Sequence, residues 1–175
     1  MELPITKRDA RRLAIMVESR LINYKHYFLW ADKLIMQSKD APGWICNLAT
    51  IKYCGDAVKA INTFVYSEPF EQLDQHEAVD EHVACLFLRY RRAELSWATF
   101  LEQAGALTDA ANGRRFCEYF YEMLNKLEEN EFSKRVEAKQ VVEVEAEYQR
   151  AITAVQPVYE TFSGYFREYV RAAAK

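Results

Sequence analysis

Of 175 residues, only five are Gly and four are Pro. This scarcity limits the possible folds more than any other feature of the chain. Sandwiches and barrels reverse direction often, and each reversal needs residues that tolerate turn geometry. The chain lacks them. Its apolar residues instead recur at steps of three and four, the spacing of one helical face. Half the residues are hydrophobic and 14% are aromatic, enough for a substantial core. The expected fold is all-α: a single-domain bundle of seven or eight helices, with a point of subdivision near residues 68–72.

Thr6 followed by Asp9 reads as a capping box, and Leu13, Met16, Val17 and Leu21 continue a helix over about 7–22. A second helix over 24–38 carries Tyr27, Trp30 and Leu34. Ala41-Pro42-Gly43 must end it, because Pro has no N–H and forces the preceding residue towards extended geometry. Asp40 is the expected cap of the next helix, with Pro42 in its first turn, and Trp44, Ile45 and Leu48 on its apolar face. The corner and both tryptophans read as scaffold. Asp56 should cap a helix over Val58, Ile61 and Val65.

A long helix is then expected from between Gln72 and Glu77 to about Gln103, closed by Gly105 as its C-terminal cap. Thr108 or Asp109 should open the next segment, with Asn112-Gly113 as a turn or weak point. The face Phe116, Phe120, Leu124 and Leu127 follows, then a helix over 133–155. Within that span Val142, Val144, Ala146 and Tyr148 alternate with Glu143, Glu145 and Glu147, the pattern of a half-buried strand. Helix is the better reading. No turn residues bound the run, and no second strand exists to pair with it. Pro157 should kink that helix or begin a new one carrying Tyr159, Phe162, Phe166 and Tyr169.

The chemistry-bearing residues form no known catalytic pattern. The histidines, His26, His76 and His82, make neither HExxH nor the Glu-x-x-His pairs of a di-iron bundle. His76 and Asp80 share a helical face but have no second ligand pair. No phosphate-binding Gly-rich loop and no GxSxG elbow is present. Cys46, Cys54, Cys85 and Cys117 include no CxxC pair and sit among apolar neighbours, so reduced and mostly buried thiols are expected. Cys117 beside Arg114 and Arg115 is the one candidate for an activated thiol. The reading is therefore no enzyme, no catalytic residue, no metal and no cofactor. With no secretory h-region and no long apolar run, a cytoplasmic protein without a membrane span is expected.

Charge is more informative. The net charge of −3 argues against nucleic acid as a ligand. It also conceals a pattern. Glu68, Glu71, Asp74, Glu77, Asp80 and Glu81 lie in fourteen residues without Lys or Arg. From Glu118 to Glu147 nine Glu face Lys126, Lys134, Arg135 and Lys139, a balance of −5. The chain start, KRDARR, and RYRRAE from Arg89 are basic. Acidic runs of this kind either crowd a solvated helix start or receive a basic partner.

The stretch WADKLIMQSKDAPGWICNLATIKYCGDAVKAI resembles small all-helical immunity proteins of bacterial polymorphic-toxin and contact-dependent growth inhibition loci. Those often read W-A-D-x-L-I, a few polar residues, P-P-W-I, then a short helix with a Leu. Trp30, Ala31, Asp32, Leu34, Ile35, Pro42, Trp44, Ile45 and Leu48 match. Gly43 replaces the second Pro and Ala49 stands where Ser is common. The resemblance covers 30–61 and nothing after residue 68. It implies a protein that neutralises a cognate toxin, commonly a nuclease, by stoichiometric binding. An acidic face would suit such a basic partner. Asp74, Glu77, Asp80 and Glu81 are the candidate contact residues, with Phe70 beside them as the aromatic anchor. The competing reading is a helical interaction or regulatory module, homodimeric through the aromatic-rich helix Tyr159–Tyr169. An enzyme with a pocket invisible in the sequence is a more distant third.

Overall fold

The computed structural model describes residues 1–111 and 113–174, and among them every regular element is helical. Nine helices follow one another: α1 Lys7–Glu18, α2 Tyr24–Gln37, α3 Gly43–Leu48, α4 Cys54–Val65, α5 Gln75–Arg91, α6 Trp97–Ala110, α7 Cys117–Glu129, α8 Lys134–Glu147 and α9 Gln149–Ala173. The all-α class is thus observed, with more and shorter helices than the periodicity suggests. The chain divides into two compact units. One comprises Met1–Leu73 and the chain from Gln156 onward, the other Asp74–Val155. The first boundary falls just after the 68–72 segment, and the second lies inside α9.

In the first unit, the Thr6–Asp9 capping box forms as the sequence predicts. Arg20, at φ 61°, turns the chain out of α1. Asn23 and His26 cap α2, a start signal that apolar spacing does not carry. Trp30 is 1% exposed and Trp44 7%; Trp44 stacks on Phe64 at 5.3 Å. The corner is scaffold, but its capping differs from expectation. Helix α3 begins at Gly43 with Pro42 in the cap position and no side-chain cap, so Asp40 does not cap it. Asp56 likewise lies inside the first turn of α4, where a negative charge suits the helix dipole. α1 packs on α4, and Lys7 is buried at 5% exposure, its Nζ donating to the carbonyls of Ser67 and Pro69. The basic chain start is therefore partly a core element.

The aromatic face of α9 is consumed within the same unit. Phe162 is fully buried and meets Trp30 at 5.3 Å. Phe166 stacks on His26 at 4.5 Å, and Tyr169 meets Tyr24 and Phe28 edge-on. The homodimer surface expected on Tyr159–Tyr169 is thus largely occupied by α2. Pro157 sits inside α9 without ending it.

In the second unit, the expected long helix is two. α5 stops at Arg91, Ala93 takes φ 58°, and Ser96 caps α6 through the Thr99 N–H. No Gly or Pro marks this reversal. Gly105 is no cap either. It lies buried within α6 because a Cβ there would come within 2.7 Å of Tyr121 Cε1 on α7. Thr108 is inside α6 too, its hydroxyl donating to the Ala104 carbonyl. Asn112 lies outside the described residues. The alternating run is helix, as expected; α8 ends at Glu147 with Tyr148 as its C-cap, and 149–155 are helical as the first turns of α9. Aromatic contacts run through this unit's core, from Trp97 stacked on Phe100 at 4.7 Å to Phe120 beside Tyr148 at 6.0 Å. Gln140, 5% exposed, fastens three helices: its Oε1 accepts from Trp97 Nε1 at 2.8 Å and its Nε2 donates to the Met123 carbonyl at 2.8 Å.

Candidate functional site

The first acidic run does not present an open face. Asp74 is the N-cap of α5, and its carboxylate accepts from the N–H groups of His76 and Glu77. Those bonds, joined by nearby Arg114, hold its carboxyl below the usual range. Arg114 Nε lies 3.2 Å from Asp80, whose carboxyl burial pushes upward despite that cation. Glu81 is only 4% exposed and so is withdrawn from the surface. Glu77 is half-buried. Phe70 is 73% exposed but belongs to the first unit. Of the expected contact set, then, Asp74, Glu77 and Asp80 reach the surface of the second unit, two of them already engaged by Arg114. A clue to Glu81 was present. From His82 to Leu88 the sequence is almost apolar all round, the mark of a helix buried on most sides.

The second acidic stretch behaves differently. Phe120, Met123 and Leu127 bury one side of α7. At 100° per residue, Glu118, Glu122, Asn125 and Glu129 fall on the opposite side, with Tyr121 and Glu128 at one edge. All four glutamates there are exposed, as is Glu131 just past the helix. From 118 to 131 these five Glu stand against Lys126 alone, a balance of −4. Three acids of the following helix are neutralised within the unit: Glu137 by Lys134, Glu145 by Arg91 and Glu147 by Arg115. Among the described residues, Glu122, Glu128, Glu129 and Glu131 have no such ion pair.

One exposed aromatic side chain borders this face, Phe116, which lines a depression with Glu118 and Glu122; Phe132 lines a different one with Leu127 and Trp97. Phe116 is 71% exposed and Phe132 55%. The spacing of Phe116 from Phe120, Leu124 and Leu127 predicts it on their apolar face. It is instead the N-cap residue of α7, with ψ 159°, so its side chain leaves the helical phase. Phe132 follows Glu131 into the left-handed region, at φ 56° and 52° respectively. Two consecutive non-Gly residues there cost on the order of 1–2 kcal/mol each. Neither exposure was legible from periodicity.

The remaining chemical candidates resolve simply. Cys117 is not activated by its arginines. Its thiol points to Asp109 and Glu118, each at 3.5 Å, and limited solvation together with these carboxylates pushes it upward. Only Cys85 is fully buried; Cys46 is exposed and the other two intermediate, so the expectation of mostly buried thiols fails. Cys54, at the first position of α4, directs its thiol to the Val17 carbonyl at 3.2 Å, and Cys46 directs its thiol to the Ala41 carbonyl at 3.8 Å. His82 is held neutral by burial, its pKa lowered to about 4. Among the described residues no three His, Cys, Asp or Glu side chains are placed to hold a metal ion, and no helix is long and apolar enough to cross a membrane. No family model, curated protein or solved structure matches the chain.

Proposed function

We propose that this chain is a stoichiometric binding protein that neutralises a basic protein partner, in the manner of an immunity protein and its toxin, and that the outer face of α7 is its contact surface. The observation that carries the reading is the set of exposed carboxylates Glu118, Glu122, Glu128, Glu129 and Glu131, with the exposed ring of Phe116 beside Glu118 and Glu122. Fold stability does not account for this arrangement. Glu118, in the first turn, suits the helix dipole, but Glu128 and Glu129 occupy the last turn, where negative charge is unfavourable. A basic partner reverses that cost, is steered by the field and gains aromatic contact area on Phe116.

Co-expression of the chain with each protein encoded by the genes flanking its own, scored by growth, tests the proposal. The expected result is protection from one basic, toxic neighbour, lost when Glu118, Glu122, Glu128 and Glu129 are all changed to Lys. Failure to protect against any neighbour, or protection that survives the charge reversal, overturns it.

A further inference from the structure

The N-terminal end of α7 carries a depression of about 600 Å³ lined by Arg114, Arg115, Phe116, Glu118, Tyr119 and Glu122. Its charges are not balanced as the names suggest. Arg114 is turned to Asp80 and Asp74. Arg115 forks onto both oxygens of Glu147, at 2.8 and 2.6 Å, while its guanidinium lies 5.4 Å from the Tyr119 ring centre. Both cations are thereby committed to carboxylates outside the depression. Glu118 and Glu122 remain inside it, with only the weak Cys117 thiol contact to Glu118 and a further carboxylate, Asp109, beside that thiol. Two glutamates four apart on one helix repel each other. Phe116, mostly exposed, lines the depression with them.

Resting on the binding role proposed above, we infer that this depression receives an arginine side chain of the basic polypeptide, its guanidinium stacked on Phe116 and bridging Glu118 and Glu122. The chemistry selects arginine. A planar guanidinium stacks on an aromatic face and offers several donors in a fixed fork, so one group satisfies a ring and two carboxylates together. A lysine ammonium is a compact, strongly hydrated point charge and meets the ring less well. The pairing of Arg115 with the Tyr119 ring on α7 and with Glu147 on α8 is the same recognition made within the molecule.

The test uses the full chain and a short peptide alternating Gly and Arg, with Lys and citrulline versions, followed by NMR shifts of the Phe116 ring and the first α7 amides. The Arg peptide should shift these signals saturably, the Lys peptide should bind several-fold more weakly, and the uncharged citrulline peptide should leave them unmoved. Phe116→Ala should weaken the Arg peptide by about fivefold, and Glu118→Gln with Glu122→Gln should abolish its effect. Both changes lie at exposed positions, and circular dichroism checks the fold. Equal binding of the citrulline peptide, an unaffected Phe116→Ala variant, or shifts confined to other surfaces overturns the inference. The growth assay separates the two levels. If reversal of the whole face abolishes protection while Phe116→Ala and the paired Gln variant keep it, the binding role stands and the arginine site falls. If no variant matters, both fall.

Discussion

Replacing Gln140 by Met should cost the second unit about 2–4 kcal/mol. The side chains have similar length, so packing changes little. What is lost is polar pairing. The Trp97 indole N–H loses its acceptor at 2.8 Å and the Met123 carbonyl one of its donors at 2.8 Å, both in a buried setting. The orphaned indole N–H costs about 1–3 kcal/mol, and the Met123 carbonyl, which keeps the Leu127 N–H of its own helix, loses a second bond worth about 1 kcal/mol. Gln140→Glu supplies a sharper signature. At neutral pH the introduced carboxylate still accepts from Trp97 but turns an oxygen towards the Met123 carbonyl, and carries a buried charge. Its pKa in the folded state therefore lies above the unfolded value of about 4.3. The penalty is fully present above the folded pKa and shrinks as pH falls through it, because the protonated carboxyl donates again. Urea denaturation followed by circular dichroism, at pH 8 and pH 5, measures both. A cost below about 1 kcal/mol for Gln140→Met, or a pH-independent cost for Gln140→Glu, would refute the claim that Gln140 joins α6, α7 and α8 by hydrogen bonding.

Three further outcomes follow from particular contacts. His82 has a folded pKa of about 4 against 6.5 when free, so stability is complete above about 6.5 and is lost as pH falls towards 4. At about 1.4 kcal/mol per pH unit this amounts to on the order of 3 kcal/mol, and His82→Leu should flatten that part of a stability-versus-pH curve. Gly105→Ala should fail to stabilise α6 despite the better helix propensity of Ala, because its Cβ meets Tyr121 at 2.7 Å; in a Tyr121→Ala background the same change should raise stability by about 1 kcal/mol in urea titration. Tyr148 is 3% exposed and its hydroxyl has no hydrogen-bond partner among the described residues. Tyr148→Phe should therefore leave the thermal midpoint unchanged or raise it, whereas a clear fall would reveal a partner for that oxygen.

Local rules, acting over one or two turns, settled a large part of this molecule from the sequence alone. The three-and-four spacing of apolar residues and the lack of turn formers made it helical. Thr6 with Asp9 fixed the start of α1, since both capping groups lie within three residues of each other. Pro42 marked the break between α2 and α3, where it sits in the cap position of α3. Even the alternating Val-Glu run was decided by the absence of any strand to pair with it. Tertiary contact decided the rest. The break after Arg91 has no Gly or Pro, and Ala93 at φ 58° persists only because α5 and α6 pack together on either side of it. Gly105 looked like a stop signal and is a point of close approach, a distinction that depends on where Tyr121 comes from. Carboxylates make the same point. Asp80 and Glu81 share a sequence neighbourhood with Asp74 but are half-buried and buried, while Glu122 and Glu128 stay in water. A carboxylate's exposure depends on which helices cover its own, and that information lies in residues far away along the chain.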